Sequence, residues 1–227
     1  SWDAGDVIKI RTGFGPAPAG DPNPGLPNGL GEPRLIDLNG DGVADYAYAG
    51  DLRGNLFRFD LTDPNPNNWT STRIFRATYT DPATGDVIPQ PITTQPIISR
   101  NTQTGEGVIV TFGTGSYFTD LDGTDENIQS IYGIWDRVIL DPNSATGFAA
   151  EGSNPVSAGD RSLLVEQTLI NLFDETQGAL RTLTSNEVVY VPSTTVDASG
   201  TTIPAVRGWY IDFDPPKPTS TVQGNLN

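Results

Sequence analysis

Short apolar stretches alternating with polar residues run through this chain, each cut off by Gly, Pro, Asn or Asp. Alternation with period two puts successive side chains on opposite faces, so these stretches predict β-strands. The first is Asp6-Val-Ile-Lys-Ile-Arg11. A Pro/Gly/Asn-rich connection over 15–32 follows, where proline lacks the donor that a sheet ladder needs. Pro33-Arg-Leu-Ile-Asp37, Tyr46-Ala-Tyr-Ala-Gly-Asp51, Asn55-Leu-Phe-Arg-Phe-Asp60 and Ser71-Thr-Arg-Ile-Phe-Arg-Ala-Thr-Tyr79 then form one set of four. A second set holds Pro96-Ile-Ile-Ser99, Gly107-Val-Ile-Val-Thr-Phe-Gly-Thr-Gly115 and Ser130-Ile-Tyr-Gly-Ile-Trp-Asp136. Within 159–184, Ser162-Leu-Leu-Val-Glu-Gln-Thr-Leu-Ile-Asn-Leu-Phe173 has apolar residues at mixed spacings and reads equally as a strand pair or a short helix.

The two sets repeat. Pro33 to Pro96 and Gly50 to Gly113 are each 63 residues apart, whereas Phe59 to Trp135 is 76, so about 13 residues are inserted in the second copy. Short strands in fours at such a period predict an all-β fold, a β-propeller of roughly four-stranded blades. Residues 1–227 are expected to form a single partial propeller domain, its clearest blades at about 33–80 and 92–140. About three blades fit in this length, fewer than the roughly 4–8 that close a ring. With no methionine in the sequence, the expectation is an internal piece of a longer protein. The ending of an aromatic then Asp recurs loosely at Trp209-Tyr-Ile-Asp212. Such aspartates are expected to cap turns, and Trp135 and Trp209 to pack between blades.

Composition narrows the function. With 28 acidic against 13 basic side chains the net charge is −15, which repels phosphate backbones and anionic lipid and attracts cations. No nucleic-acid partner is expected, and no apolar run reaches the ~18 residues of a membrane span. Histidine and cysteine are absent, which removes the usual general base, a Ser-His-Asp triad, thiol nucleophiles and thiolate metal sites. A non-enzymatic role is expected.

Cation chemistry is concentrated in Asp37-Leu-Asn-Gly-Asp-Gly-Val-Ala-Asp45, between two predicted strands. Calcium wants six to eight oxygen ligands, and short acidic side chains at alternate positions can wrap it. Asp37, Asn39, Asp41 and Asp45 would offer side-chain oxygens, and Val43 its backbone carbonyl. Gly42 stands where the loop must turn sharply. Position twelve, where a bidentate Glu closes a helix–loop–helix hand, is Tyr48, so this is a nine-residue loop with strands on both sides. Magnesium, which prefers a rigid octahedron, suits it less. A second acidic cluster, Asp120, Asp122 and Asp125, lies in the insertion and reads as a solvated turn.

These strings, in this order, resemble the C-terminal propeller of the PilY/PilC family, the tip-associated proteins of bacterial type IV pili. The resemblance rests on the run from Asp37 to Leu61, Gln90-Pro-Ile-Thr-Thr94, Phe112-Gly-Thr-Gly-Ser-Tyr117, Gln129 to Asp136, Leu164-Val-Glu-Gln-Thr168 and Arg207-Gly-Trp-Tyr-Ile-Asp212. It implies a secreted or cell-surface protein at the pilus tip, passing through periplasm or outer membrane. Pilus biogenesis, adhesion and twitching motility would be its work. Minor pilins at the tip, the rest of the parent chain and a host or surface receptor would be its partners. It also implies that Ca2+ at Asp37, Asn39, Asp41, Val43 and Asp45 regulates pilus extension and retraction. Two other readings fit the same pattern: an integrin-like adhesion propeller with structural calcium, and a quinone-dependent dehydrogenase propeller, which Gly54-Asn-Leu-Phe-Arg-Phe-Asp60 also suits.

Overall fold

The computed structural model describes residues 7–15, 27–118, 127–150, 161–174 and 178–213. Strands β1 (Arg34–Ile36), β2 (Tyr46–Gly50), β3 (Asn55–Asp60) and β4 (Thr70–Arg76) form an antiparallel sheet in chain order. Alternation sets its two faces. Tyr46, Tyr48 and Leu56 enter one core, while Ala47, Ala49, Phe57 and Phe59 enter a second on the reverse side. A register shift at Leu56/Phe57 gives β4 one extra residue, so the consecutive Ile74 and Phe75 both join the first core.

A hairpin of β5 (Thr78–Thr80) and β6 (Val87–Pro89) leads to the second sheet. It is built on β7 (Ile97–Arg100), β8 (Val108–Gly113) and β9 (Gln129–Asp136), again antiparallel. The chain then makes a hairpin of β10 (Val138–Leu140) and β11 (Phe148–Ala150). After a 3-10 turn at Arg161–Leu163 come β12 (Leu164–Gln167), a hairpin of β13 (Leu169–Asp174) and β14 (Gly178–Leu183), and a short pair, β15 (Thr195–Val196) and β16 (Thr202–Ile203). The last described strand, β17 (Gly208–Phe213), pairs antiparallel with β9 and parallel with β12, giving the order β7-β8-β9-β17-β12.

The strings chosen from alternation become strands β1 to β4 and β7 to β9, and the ambiguous 159–184 stretch contains a strand pair. Two expectations change. Residues 7–11 form no strand. Instead this segment lies across the reverse face of the first sheet, where Ile10 packs on the second core and Phe14 meets the Phe57 ring at 5.6 Å. There Ser71 donates to the Arg11 carbonyl, and the Arg73 guanidinium stands over Phe14. Trp209–Asp212, an apparent echo of a further blade ending, lies within the fourth antiparallel strand of the second sheet. Trp135 packs against Tyr190 and Arg207, with its indole N–H donated to the Glu106 carbonyl.

The two sheets face each other across one apolar core. Phe75 of the first meets Phe112 and Tyr132 of the second at 6.1 and 5.0 Å. Val108, Val110 and Ile134 close around them. Among the described residues no helix is long and apolar enough to cross a membrane.

Candidate metal centre

The Asp37–Asp45 loop joins β1 to β2, and its base is closed by backbone and carboxylate together. The Asp45 N–H donates to the Ile36 carbonyl, and the Asp45 carbonyl accepts from Leu61. Asp45 is 5 % exposed, and its Oδ2 accepts the amides of Leu38 at 2.6 Å and Asn39 at 3.3 Å. Leu38 itself is 4 % exposed and belongs to the core between the sheets. The loop is thereby sewn to its own base and anchored in the core.

Above that base, Asp37, Asn39 and Asp41 form a chain of side-chain-to-amide bonds. Asp37 Oδ1 accepts the Gly40 and Asp41 amides, and Oδ2 accepts Gly42 at 2.8 Å. Asn39 Oδ1 accepts the Asp41 amide and Asp41 Oδ1 accepts the Val43 amide, each at 2.8 Å. Such Asx bonds coil the chain tightly. Gly40 and Gly42 make that possible, with φ of 82° and 89° in the left-handed region. The Val43 side chain is 65 % exposed.

The electrostatics differ from one carboxylate to the next. Hydrogen bonding, chiefly from the Gly42 amide, holds Asp37 below its usual pKa, with Arg100 adding a smaller pull in the same direction. Burial pushes Asp45 up against the amides of Leu38 and Asn39, and the charges of Asp41 and Asp37 push it further. A cation in the loop would relieve that repulsion. Asp37 Oδ1 and Asp45 Oδ2 each accept two amides, whereas Asp37 Oδ2 and Asp41 Oδ1 accept one each, which leaves a lone-pair direction on those two oxygens for an ion. The donor set of three carboxylates, one carboxamide and a carbonyl fits a hard cation by its chemistry. Among the described residues, however, no three acidic side chains are already grouped to hold a metal. Asp120, Asp122 and Asp125 lie outside the described residues.

Two polar centres escape a reading of the sequence. Arg58 and Asp136 pair across the two sheets, and Tyr48 donates to the same carboxylate. Elsewhere Arg161 binds Asp212 at 2.8 Å and also reaches Tyr132, Ser130 and Gln90. Of the strand-ending aspartates, Asp60 serves its following turn, accepting from Thr62. Asp136 pairs with Arg58 and Asp212 with Arg161. An arginine flanked by aromatics in Leu56-Phe-Arg-Phe59 was the available hint of a buried partner.

The sequence profile of the PilY1 beta-propeller domain matches residues 20–178, which take in the loop, the first sheet and most of the second. This chain belongs to the PilY1 β-propeller family. Similarity to individual members extends further along it. Type IV pilus biogenesis factor PilY1 of Pseudomonas aeruginosa strain PAO1 is 37 % identical over 210 residues, covering 83 % of this chain and 17 % of the relative. The factor of strain UCBPP-PA14 is 33 % identical over 215 residues, covering 84 % of this chain and 18 % of its own length. A PilY1 homolog of Xylella fastidiosa is 29 % identical over 215 residues, 91 % of this chain and 12 % of that protein. The crystal structure of the Pseudomonas aeruginosa PilY1 C-terminal domain superposes with a TM-score of 0.59 at 33 % identity, covering 83 % of this chain and 40 % of that one. The all-β propeller architecture is therefore that of the PilY1 C-terminal domain. The chain spans less than a fifth of the length of these curated relatives.

Proposed function

We propose that this chain is a calcium-binding propeller module of a type IV pilus biogenesis factor, acting extracellularly at the pilus tip. The observation that carries the calcium reading is the Asp37–Asp45 loop itself. It offers oxygen donors at alternate positions and is rooted through Leu38 and Asp45 in the core that joins two blades. Occupancy of such a loop would be felt by the seam between blades and not by the loop alone. The family membership and the names of the relatives support the pilus role.

On this reading the module is non-enzymatic. It supports pilus assembly and controls extension and retraction, and through them adhesion and twitching motility. Its partners are the minor pilins of the tip, the remainder of its parent chain and a host or surface receptor. Extracellular calcium modules bind at roughly 10⁻⁴–10⁻³ M, a range that environmental calcium crosses. Calorimetry on the chain at millimolar calcium tests the site, with Asp37→Ala and Asp45→Ala abolishing the heat. Absence of binding by the unsubstituted chain would sink the calcium reading. The same substitutions introduced into the parent protein test the role. Pili that extend, retract and twitch normally without calcium binding would refute control by this site.

A further inference from the structure

The loop is held from a second direction, by the neighbouring blade. Arg100, the last residue of β7, donates from Nη2 to the Leu38 carbonyl at 2.5 Å. Leu38 is position two of the loop, and its own N–H goes to Asp45. Both polar groups of this residue are thus fixed, one by the carboxylate at the loop's base and one by a guanidinium of the second sheet.

A matching clamp stands at the other end of the same pair of strands. Gln95 Nε2 donates to the Pro33 carbonyl at 2.9 Å and to Glu32 Oε1 at 3.1 Å. The Gln95–Pro33 and Arg100–Leu38 bonds share an offset of 62 residues. Edge strands β1 and β7 therefore run side by side in the same direction, with one side-chain clamp at the entry to β1 and one where it passes into the loop. Arg100 also faces Asp37, whose carboxyl it helps keep ionised.

We infer that Arg100 is a positioning residue for the Asp37–Asp45 loop, holding the Leu38 carbonyl from the next blade so that loop order and cation affinity depend on the seam. This rests on the calcium reading for its affinity arm but not for its structural arm. The sign of the effect separates it from a bystander charge. A cation near the loop repels Ca2+, so removing a bystander arginine would tighten binding. Removing a clamp loosens the loop and weakens binding, because ordering must then accompany capture of the ion.

The experiment compares the full chain with Arg100→Met and Arg100→Lys, neither of which disturbs the buried core. Calcium affinity is measured by calorimetry, and hydrogen exchange by mass spectrometry over residues 35–46 without calcium. Arg100→Met is expected to weaken calcium about five- to tenfold and to speed exchange in that peptide at least fivefold, leaving a β8–β9 peptide unchanged. Arg100→Lys, which keeps charge and one donor, is expected to recover part of both. Equal or tighter calcium binding by Arg100→Met would overturn the inference. If the unsubstituted chain binds no calcium, the calcium reading fails instead, and unchanged exchange over 35–46 would then overturn the clamp on its own.

Discussion

Arg58 of β3 and Asp136 of β9 form an ion pair across the two blades, Nη1 to Oδ1 at 2.7 Å, with both side chains almost wholly buried. Tyr48 of β2 donates to the other oxygen of the same carboxylate at 2.9 Å. The three groups come from three strands and meet where the faces of the sheets would otherwise be apolar. Such a pair fixes how the blades align more surely than it adds net stability, because desolvation offsets much of the attraction.

Breaking that pair from one side should be costly. Asp136→Ala leaves the Arg58 charge buried and the Tyr48 hydroxyl without its acceptor, and is expected to destabilise the fold by about 3–5 kcal/mol. Tyr48→Phe removes one hydrogen bond and should cost about 1 kcal/mol. Urea denaturation followed by tryptophan fluorescence measures both. Equal, small effects would show that the pair is not a buried keystone of the seam.

Calcium should raise the melting temperature through simple mass action. For a Kd of roughly 10⁻⁴–10⁻³ M, 10 mM calcium stabilises by about 1.4–2.7 kcal/mol. That corresponds to about 3–11 °C for a chain of this size. Asp45→Asn should abolish the rise, and equimolar magnesium should give less of it. A thermal scan with and without chelator checks this.

High pH should unfold the protein through its buried tyrosines. Burial pushes Tyr132 up to about 12, against the pull of Arg161. Burial likewise raises Tyr46 and Tyr48. A folded pKa above the unfolded value of 10 means that the native state holds its proton more tightly. Tyr132 therefore contributes stability that is complete below pH 10 and is lost as pH rises from 10 through 12. The shift amounts to about 2–3 kcal/mol for this residue. Phenolate absorbance from the buried tyrosines should rise only together with loss of far-ultraviolet dichroism.

Two glycines on adjacent strands test the placement of β17. A Cβ on Gly133 of β9 would lie 2.4 Å from the Trp209 indole, whereas one on Gly113 of β8 meets nothing within 4 Å. Gly133→Ala is expected to destabilise by about 1–3 kcal/mol, since the packed ring cannot move freely. Gly113→Ala should be neutral or slightly stabilising. If both are neutral, β17 does not pair with β9 as described.

The sequence by itself determined what neighbouring residues decide among themselves. Tyr46–Gly50, Asn55–Asp60 and Gln129–Asp136 are short runs rich in apolar and aromatic residues, so their strand character was legible. The Asx-rich turn from Asp37 to Asp45 was legible too, since its amide bonds link residues two to five apart. Residues 7–11 alternate, yet form no strand, because alternation cannot supply a partner edge. Only the tertiary structure decided the rest. The Arg58–Asp136 pair spans 78 residues, the Arg100–Leu38 clamp 62, and β17 reaches β9 from more than 70 residues downstream. Those pairings depend on which sheets meet and in what register, and no local pattern encodes the burial that turns a strand-ending aspartate into an ion-pair partner.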